Sequence, residues 1–310
     1  MRWTRRQAIR FLGLGGLSPI AVSQVHPEAS DFVLRLNSNL VVLDVSVTDG
    51  DGVPVGGIGK DRFRIHEDGK SQTISQYSAD ERPVSLGFVI DSSGSMFKKV
   101  LQVRRAVHSF LTVSNPEDSY FVLGFNDIPR LGLPGETPFT SQPEQVKDAV
   151  ASFRAEGKTS LYDGLSVALN HIQSSSLERR FLVVVSDGKD TSSSLRLVDS
   201  IRQCRSSRVT IFTLGLFEDE DEDQNSGVLK QMARVTGGQY FHPADSKELS
   251  DACVRIARDI RARYTLAYTP PDSAKRALRR IKVELAARPD EGKRVVRTRT
   301  EYTLEPAARQ

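Results

Sequence analysis

Two different spacings of apolar residues divide the chain into three stretches. In residues 31–80 apolar and polar side chains alternate, most clearly from Val41 to Val47. From Pro83 onward, short continuous apolar runs alternate with segments whose apolar residues recur every three or four positions. After Arg261 the strict alternation returns. Alternation predicts half-buried strands, and the wider spacing predicts amphipathic helices, so β segments flank an α/β segment.

The two flanking stretches predict about seven strands. The first contains an Asp68-Gly69 pair between two strand-like runs, which is a strong hairpin signal. The last contains alternating runs at 264–268, 281–286 and 294–304. Neither set alone is expected to close a core, but together they are sufficient for a seven-stranded β-sandwich.

The middle stretch predicts a mostly parallel sheet that helices cover on both faces. We expect strands at 85–90, 120–125, 180–186, 209–216 and 238–241, with a weaker edge strand near 130–139. Helices are expected from about residue 97 and at 143–153, 161–174, 195–204, 227–235 and 247–261.

These patterns predict an α/β domain inserted into a β-sandwich that is built from both chain ends. The expected boundaries are an export signal at 1–23, the first part of the sandwich at 31–82, the α/β domain at 83–261 and the second part of the sandwich at 262–304.

A cluster of oxygen-bearing side chains follows the first buried strand of the α/β segment. Asp91, Ser93 and Ser95 alternate along a short turn between that strand and a helix. Their oxygens can therefore converge on one point. Neutral hydroxyls combined with a carboxylate suit a small, hard cation such as Mg²⁺. Taken alone, the same turn is equally compatible with a helix cap that binds no metal.

The Asp91-Ser92-Ser93-Gly94-Ser95 segment resembles the metal-ion-dependent adhesion site of von Willebrand factor type A domains, including the related proteins of bacteria. Two further motifs of that family follow in order. Thr159 lies in a Gly-x-Thr loop, and Asp187 ends a buried strand. The resemblance covers roughly residues 83–261 and implies a doubly wound, Rossmann-like sheet.

The resemblance also implies a function. Asp91, Ser93, Ser95, Thr159 and Asp187 would hold Mg²⁺, with Mn²⁺ or Ca²⁺ as alternatives. One coordination position would stay open for a carboxylate of a protein or surface polymer. The expected function is then adhesion or assembly, without turnover. Nearby Asp163 is expected either to orient a coordinated water or to serve only as a helix-terminus carboxylate.

Two alternative functions use the same residues. In the first, the metal only staples the rim of a structural module. In the second, Ser95 and Lys98 form the Ser-x-x-Lys pair of exported acyl-transfer enzymes. The chain lacks the partner motifs Ser-Asp-Asn and Lys-Thr-Gly, which weakens the enzyme interpretation.

The N-terminal segment accounts for the charge of the chain and predicts export. The formal net charge is +4, and four arginines precede the first acidic residue, Glu28. We therefore infer no nucleic-acid partner from the basic composition. The Arg5-Arg6 pair, a short apolar run and the small residues Ala21-Val22-Ser23 resemble a twin-arginine signal, so a periplasmic or extracellular location is expected. No run in the mature chain is long enough to span a membrane.

Two further features bear on chemistry. Cys204 and Cys253 match no metal-binding spacing, and buried thiols are favoured over the disulfide that export would permit. The acidic run at 218–223 is expected to form a solvated, mobile loop rather than a second cation site, because like charges repel one another.

Overall fold

The computed structural model describes residues 40–187, 189–217, 222–271, 278–288 and 291–303. The predicted leader and most of the acidic run therefore lie outside the described residues. Within them, the strands are β1 (Val41–Thr48), β2 (Phe63–Glu67), β3 (Lys70–Gln72), β4 (Gln76–Ser78), β5 (Ser85–Asp91), β6 (Ser119–Phe125), β7 (Arg130–Leu131), β8 (Arg180–Ser186), β9 (Val209–Gly215), β10 (Tyr240–Phe241), β11 (Tyr264–Tyr268), β12 (Leu278–Leu285), β13 (Val295–Arg297) and β14 (Glu301–Thr303). The α-helices are α1 (Val100–Leu111), α2 (Pro143–Ser152), α3 (Leu161–Ile172), α4 (Leu197–Ser206), α5 (Glu222–Thr236) and α6 (Ser246–Arg261).

A six-stranded sheet in the order β10-β9-β8-β5-β6-β7 positions the candidate site. Every pairing in it is parallel except that of the two-residue edge strand β7. Strands β5 and β9 are buried along their whole length, as expected for strands that helices cover on both faces. Helix α1 packs with α2 and α6, whereas α4 packs with α3 and α5. The predicted α/β arrangement with a mostly parallel sheet is confirmed.

The strand order reverses at β5, and this reversal creates the site. The chain passes from β5 to β6 on one side and later returns to β8 on the other. The loops that follow β5 and β8 therefore leave the same edge of the sheet in divergent directions, which opens a crevice at the carboxyl ends of these strands. Asp91 and Asp187 lie at this edge.

Two four-stranded sheets combine strands from both ends of the described chain. Their orders are β13-β1-β11-β4 and β14-β12-β2-β3. β1 pairs antiparallel with β11, and β2 pairs antiparallel with β12. One apolar cluster joins the sheets, with buried residues on β1, β2, β11, β12 and β14. The predicted hairpin is present between β2 and β3, where Asp68 (φ 48°) and Gly69 (φ 81°) have the left-handed conformations of a tight turn.

The last predicted strand differs from the structure. Residues 294–304 were expected to form one strand, but β13 and β14 lie in different sheets. The residues between them are anchored elsewhere, because the Arg299 guanidinium donates to the carbonyl oxygens of Arg205 (2.6 Å) and Ser207 (2.9 Å). The two end segments therefore contribute eight strands rather than seven to these sheets within the described residues. Insertion into a closed sandwich stays a prediction.

A buried ion pair fastens the second four-stranded sheet. Glu67 on β2 pairs with Arg279 on β12, and both side chains are almost fully buried. The other Glu67 carboxylate oxygen accepts hydrogen bonds from the hydroxyls of Tyr268 (2.6 Å) and Tyr302 (2.8 Å). One carboxylate thus links strands from both end segments.

Candidate metal site at the carboxyl edge of the central sheet

Asp91, the last residue of β5, is a buried carboxylate. Its side chain is held by two hydrogen bonds: Oδ1 accepts from the Ser93 amide (2.9 Å), and Oδ2 accepts from the Ser186 hydroxyl at the end of β8 (2.6 Å). The Asp-x-Ser spacing favours the first bond, because a short acidic side chain readily accepts from the amide two residues later. The second bond depends on β5 and β8 being neighbours.

The two serines of the turn lie side by side. Ser93 precedes a short 3₁₀-helix at Gly94–Met96, and its Oγ lies 3.0 Å from the Oγ of Ser95. Ser93 is buried, whereas Ser95 is exposed. The turn therefore presents a row of oxygens that runs from the buried Asp91 to the surface.

The loop that carries Thr159 is bonded directly to this turn. The Gly94 amide donates to the Gly157 carbonyl oxygen (3.1 Å), and the Glu156 amide donates to the Ser92 carbonyl oxygen (2.9 Å). Gly157 has a φ of 76°, and a Cβ at that position would overlap the carboxylate of Asp127. Glycine is needed here both for the backbone conformation and for the close approach.

Backbone hydrogen bonds fix Thr159 against the loop that follows β8. The Thr159 amide donates to the Thr191 hydroxyl (2.9 Å). The Thr159 carbonyl oxygen accepts from the amides of Thr191 (2.8 Å) and Ser192 (3.0 Å). These bonds use the backbone of Thr159, so they leave its side-chain hydroxyl uninvolved. Asp187 begins the same loop, is partly buried and accepts from the Lys189 amide (3.3 Å).

The electrostatics of Asp91 favour a cation. The pKa of Asp91 is raised to about 6, mainly by burial. Hydrogen bonds from Ser186 and Ser93 oppose this rise, and the negative charge of Asp187 contributes to it. Among the described residues, no Lys, Arg or His side chain forms an ion pair with Asp91. A buried carboxylate without a cationic partner is costly when charged, and a metal ion at this edge would remove that cost.

The donor set suits a hard divalent ion. The five predicted residues offer two carboxylates and three hydroxyls, all of them oxygen donors. The described part of the chain contains no cluster of three or more His, Cys, Asp or Glu side chains that could hold a metal. The structure places Asp91, Ser93 and Ser95 on one turn and bonds the loops of Thr159 and Asp187 around it. Their role as metal ligands stays a prediction.

Asp163 has a positioning role. Its carboxylate oxygens accept from the amides of Ser194 (2.8 Å) and Leu195 (3.0 Å), just before α4. Both oxygens thus hold the loop that follows Asp187. This geometry favours the helix-terminus interpretation over the orientation of a coordinated water.

The Ser-x-x-Lys alternative has little geometric support. Within the described residues, the recorded hydrogen-bond partner of the Ser95 hydroxyl is Ser93. Lys98 is exposed one position beyond Phe97, and it makes no recorded contact with Ser95. A serine nucleophile requires a base within hydrogen-bonding distance.

Two residues that support the candidate metal site were not predicted from the sequence. Ser186 holds Asp91, and Thr191 holds Thr159. Ser186 directly precedes Asp187, so its position at the same strand end was a usable signal. No local pattern indicated Thr191, because its partner lies 32 positions earlier in the chain.

The structure also bears on the predictions for the two cysteines, the acidic run and membrane-spanning segments. Cys204 and Cys253 are buried free thiols, and burial raises the pKa of each to about 12. Residues 222–223 of the acidic run belong to α5, and the rest of the run is outside the described residues. Across the described ranges, no helix is long and apolar enough to cross a membrane.

Two curated proteins are similar to this chain over part of its length. Inter-alpha-trypsin inhibitor heavy chain H4 of Homo sapiens is 25% identical over 202 residues, which are 60% of this chain and 21% of that protein. The Bos taurus counterpart is 23% identical over 202 residues and is covered over 22% of its length. The chain thus spans about a fifth of the length of these curated relatives.

A solved structure shows the same fold. It is the von Willebrand factor type A protein from Catenulispora acidiphila, with a TM-score of 0.52 and 14% identity, covering 87% of this chain and 76% of that one. Residues 85–253 match the von Willebrand factor type A domain family. Because that match spans more than half of the 310 residues, this protein belongs to the von Willebrand factor type A domain family.

Proposed function

We propose that this protein binds another protein or a surface polymer through a divalent metal, and that the metal captures an acidic group of the partner. Membership of the von Willebrand factor type A family supports a role in protein interaction or adhesion. The finer proposal is that Mg²⁺, with Mn²⁺ or Ca²⁺ as alternatives, is held by Asp91, Ser93, Ser95, Thr159 and Asp187.

The observation that carries the proposal is that Asp91 is buried beside two adjacent serine hydroxyls and has no cationic partner among the described residues. A bound metal would supply the missing positive charge. The five proposed ligands would leave one position of an octahedral Mg²⁺ shell open, and an anionic group of the partner could fill it. Ser95 lies at the exposed end of the row, so an incoming carboxylate has access from solvent.

The proposal extends to the whole chain. We infer an exported bacterial protein in which residues 1–23 are a signal and residues 83–261 carry the binding site. The segments 31–82 and 262–304 would form one β-sandwich around that insertion. The pairing of β1 with β11 and of β2 with β12 supports this arrangement.

The direct test is metal binding measured by isothermal titration calorimetry. Wild-type protein should bind Mg²⁺, and Asp91→Ala should lose measurable binding while keeping its circular dichroism spectrum. Asp148→Ala, an exposed substitution on α2, serves as the matched control and should bind as wild type does. Equal Mg²⁺ binding by wild type and Asp91→Ala would refute the proposed ligand set.

A second experiment tests the partner. Immobilised protein is incubated with envelope extract in Mg²⁺ or in chelator, using wild type and Asp91→Ala. Proteins captured only by wild type in Mg²⁺, and released by chelator, are expected. Esterifying the carboxylates of the extract should abolish their capture. Identical catches with and without Mg²⁺ would count against a metal-bridged partner.

The same variants separate the two alternatives. If Asp91→Ala unfolds the protein, the metal is structural. Covalent labelling of Ser95 by a fluorophosphonate or a β-lactam would instead indicate an acyl-transfer enzyme.

A further inference from the structure

A groove runs between α5 and β12, at the edge of the central sheet opposite the Asp91 site. The end of α5 lies beside the beginning of β9, since the Thr236 hydroxyl accepts from the Ile211 amide (3.0 Å). Two adjoining cavities of about 690 Å³ and 460 Å³ form this α5–β12 groove. Both are lined by Arg234, Lys282 and Thr300, so they are continuous.

Hydrogen bonds along β12 show which backbone groups face the groove. The Arg280 carbonyl oxygen accepts a hydrogen bond from the Asp68 amide (2.9 Å), and the Ala286 amide donates to the Arg62 carbonyl oxygen (2.8 Å). The backbone amide and carbonyl groups of even-numbered residues therefore point toward β2. The Ile281 amide donates to Thr300 (2.8 Å) on the opposite side, where β14 pairs.

That opposite side of β12 is open beyond Ile281. Pairing with β14 covers Leu278 to Arg280, and the bond to Thr300 is the last one recorded on this side. Because backbone direction alternates along a strand, the amide and carbonyl of Val283 face the same side as those of Ile281. Val283 lines the smaller cavity, and its backbone groups have no recorded partner within the described ranges. Among the described residues, the groove therefore contains a strand edge without a pairing strand.

The charge of the groove is positive. Cationic side chains lining it are Lys230, Arg234, Arg280, Lys282 and Arg297. The two acidic lining residues are already paired, since Glu284 pairs with Lys282 and Glu301 pairs with Arg205. Arg234 and Arg280 are exposed, and neither forms an ion pair with a carboxylate of the described residues. Two cations are thus available to a ligand.

We propose that the α5–β12 groove binds an extended acidic peptide segment of a partner protein, which adds as a strand to the open edge of β12. The edge supplies main-chain hydrogen bonds, as in other cases of strand addition. Val296, a partly buried apolar residue that lines the smaller cavity, offers an apolar contact to a side chain of the added strand. Arg234 and Arg280 attract the acidic side chains. This binding is independent of the metal and of the function proposed for the Asp91 site.

The test uses the full chain in chelator, so that the Asp91 site does not contribute. A fluorescent eight-residue peptide of alternating Glu and Val is titrated by fluorescence anisotropy. The double variant Arg234→Glu, Arg280→Glu should weaken binding about tenfold, because both cations that attract the peptide are replaced by like charges. Arg105→Glu, an exposed change on α1, is the matched control and should leave the affinity unchanged.

A second probe tests the strand pairing itself. A peptide of the same sequence with alternate backbone nitrogens methylated keeps its charge but loses its donors on one edge. Two such peptides are made, one methylated at the odd-numbered and one at the even-numbered nitrogens. The peptide whose methyl groups lie on the edge that pairs with β12 should not bind. Equal affinity of both methylated peptides and the parent would overturn strand addition. Unchanged affinity of the double variant, or binding of a polyuronic acid in preference to the peptide, would overturn the assignment to an acidic peptide.

The proposals for the two sites can be refuted independently of each other. Loss of peptide binding in the groove variants with Mg²⁺ binding intact concerns the groove alone. Asp91→Ala should bind the peptide as wild type does.

Discussion

Replacing Asp91 by Asn should change the way in which the stability of the metal-free protein depends on pH. The carboxylate is buried, lacks an ion-pair partner among the described residues and lies near Asp187. Asparagine has nearly the same shape but does not titrate. The comparison therefore isolates the contribution of one proton.

The sign and size follow from the raised pKa. Burial raises the pKa of Asp91 from 3.8 to about 6, so the folded state binds this proton more tightly than the unfolded chain does. The resulting stabilisation is fully present below the unfolded pKa of 3.8 and is lost as the pH rises through about 6. The difference between these two pKa values corresponds to a change in the free energy of unfolding on the order of 3 kcal/mol between pH 4 and pH 7.

The measurement is urea unfolding followed by circular dichroism in chelator, at several pH values from 4 to 7.5. The free energy of unfolding of wild type, minus that of Asp91→Asn, should decrease by about that amount as the pH rises. Titration of groups that do not interact with Asp91 cancels in this difference. Asp148→Asn is the control and should show no such trend, because that carboxylate is exposed.

Adding Mg²⁺ should restore most of this lost stability to wild type at neutral pH and should leave Asp91→Asn unchanged. A ligand at 100 times its Kd stabilises the folded state by about 2.7 kcal/mol, and only wild type should gain it. A constant difference between wild type and Asp91→Asn across this pH range would refute the reasoning. It would mean that the Asp91 carboxylate is compensated in the folded state.

Three further predictions follow from the geometry. Gly157→Ala should weaken Mg²⁺ binding by at least about tenfold in calorimetry, because the added Cβ displaces the loop that carries Thr159. Gly135→Ala, also at positive φ but in open space, should not weaken it. Glu67→Gln should lower the free energy of unfolding by about 3 kcal/mol, since it breaks a buried ion pair, whereas Glu284→Gln at the surface should cost much less; equal losses in urea unfolding would contradict this. Deleting residues 262–310 should lower the melting temperature and expose the N-terminal strands to proteolysis, and an unchanged melting profile would rule out their mutual support.

Local patterns were sufficient for the elements of the central sheet. The predicted strand at 180–186 coincides with β8, and the predicted helix at 143–153 with α2 to within a residue. Both segments have a clear apolar period and a clear boundary, because Asp187 follows the first and Pro143 begins the second. The apolar period and the boundary residues are both local features of the sequence, so they can be recognised without knowledge of tertiary contacts.

Where a pattern was ambiguous, tertiary anchoring decided the outcome. Residues 294–304 have the composition of one strand. The Arg299 side chain in the middle of this segment, however, donates hydrogen bonds to carbonyl oxygens at the end of α4. The chain therefore leaves one sheet and enters the other. No residue within 294–304 specifies those partners.

The order of the elements and the oxygen-bearing residues that end the central strands follow from the amino-acid sequence, since both depend on short-range periodicity and on residue chemistry. The support of Asp91 by Ser186 and of Thr159 by Thr191 follows from tertiary contacts, and so does the lack of a strand partner for one side of β12 beyond Ile281 among the described residues. These features depend on which strands become neighbours. That choice is made by hydrogen bonds and packing between residues far apart in the chain, which local periodicity does not encode.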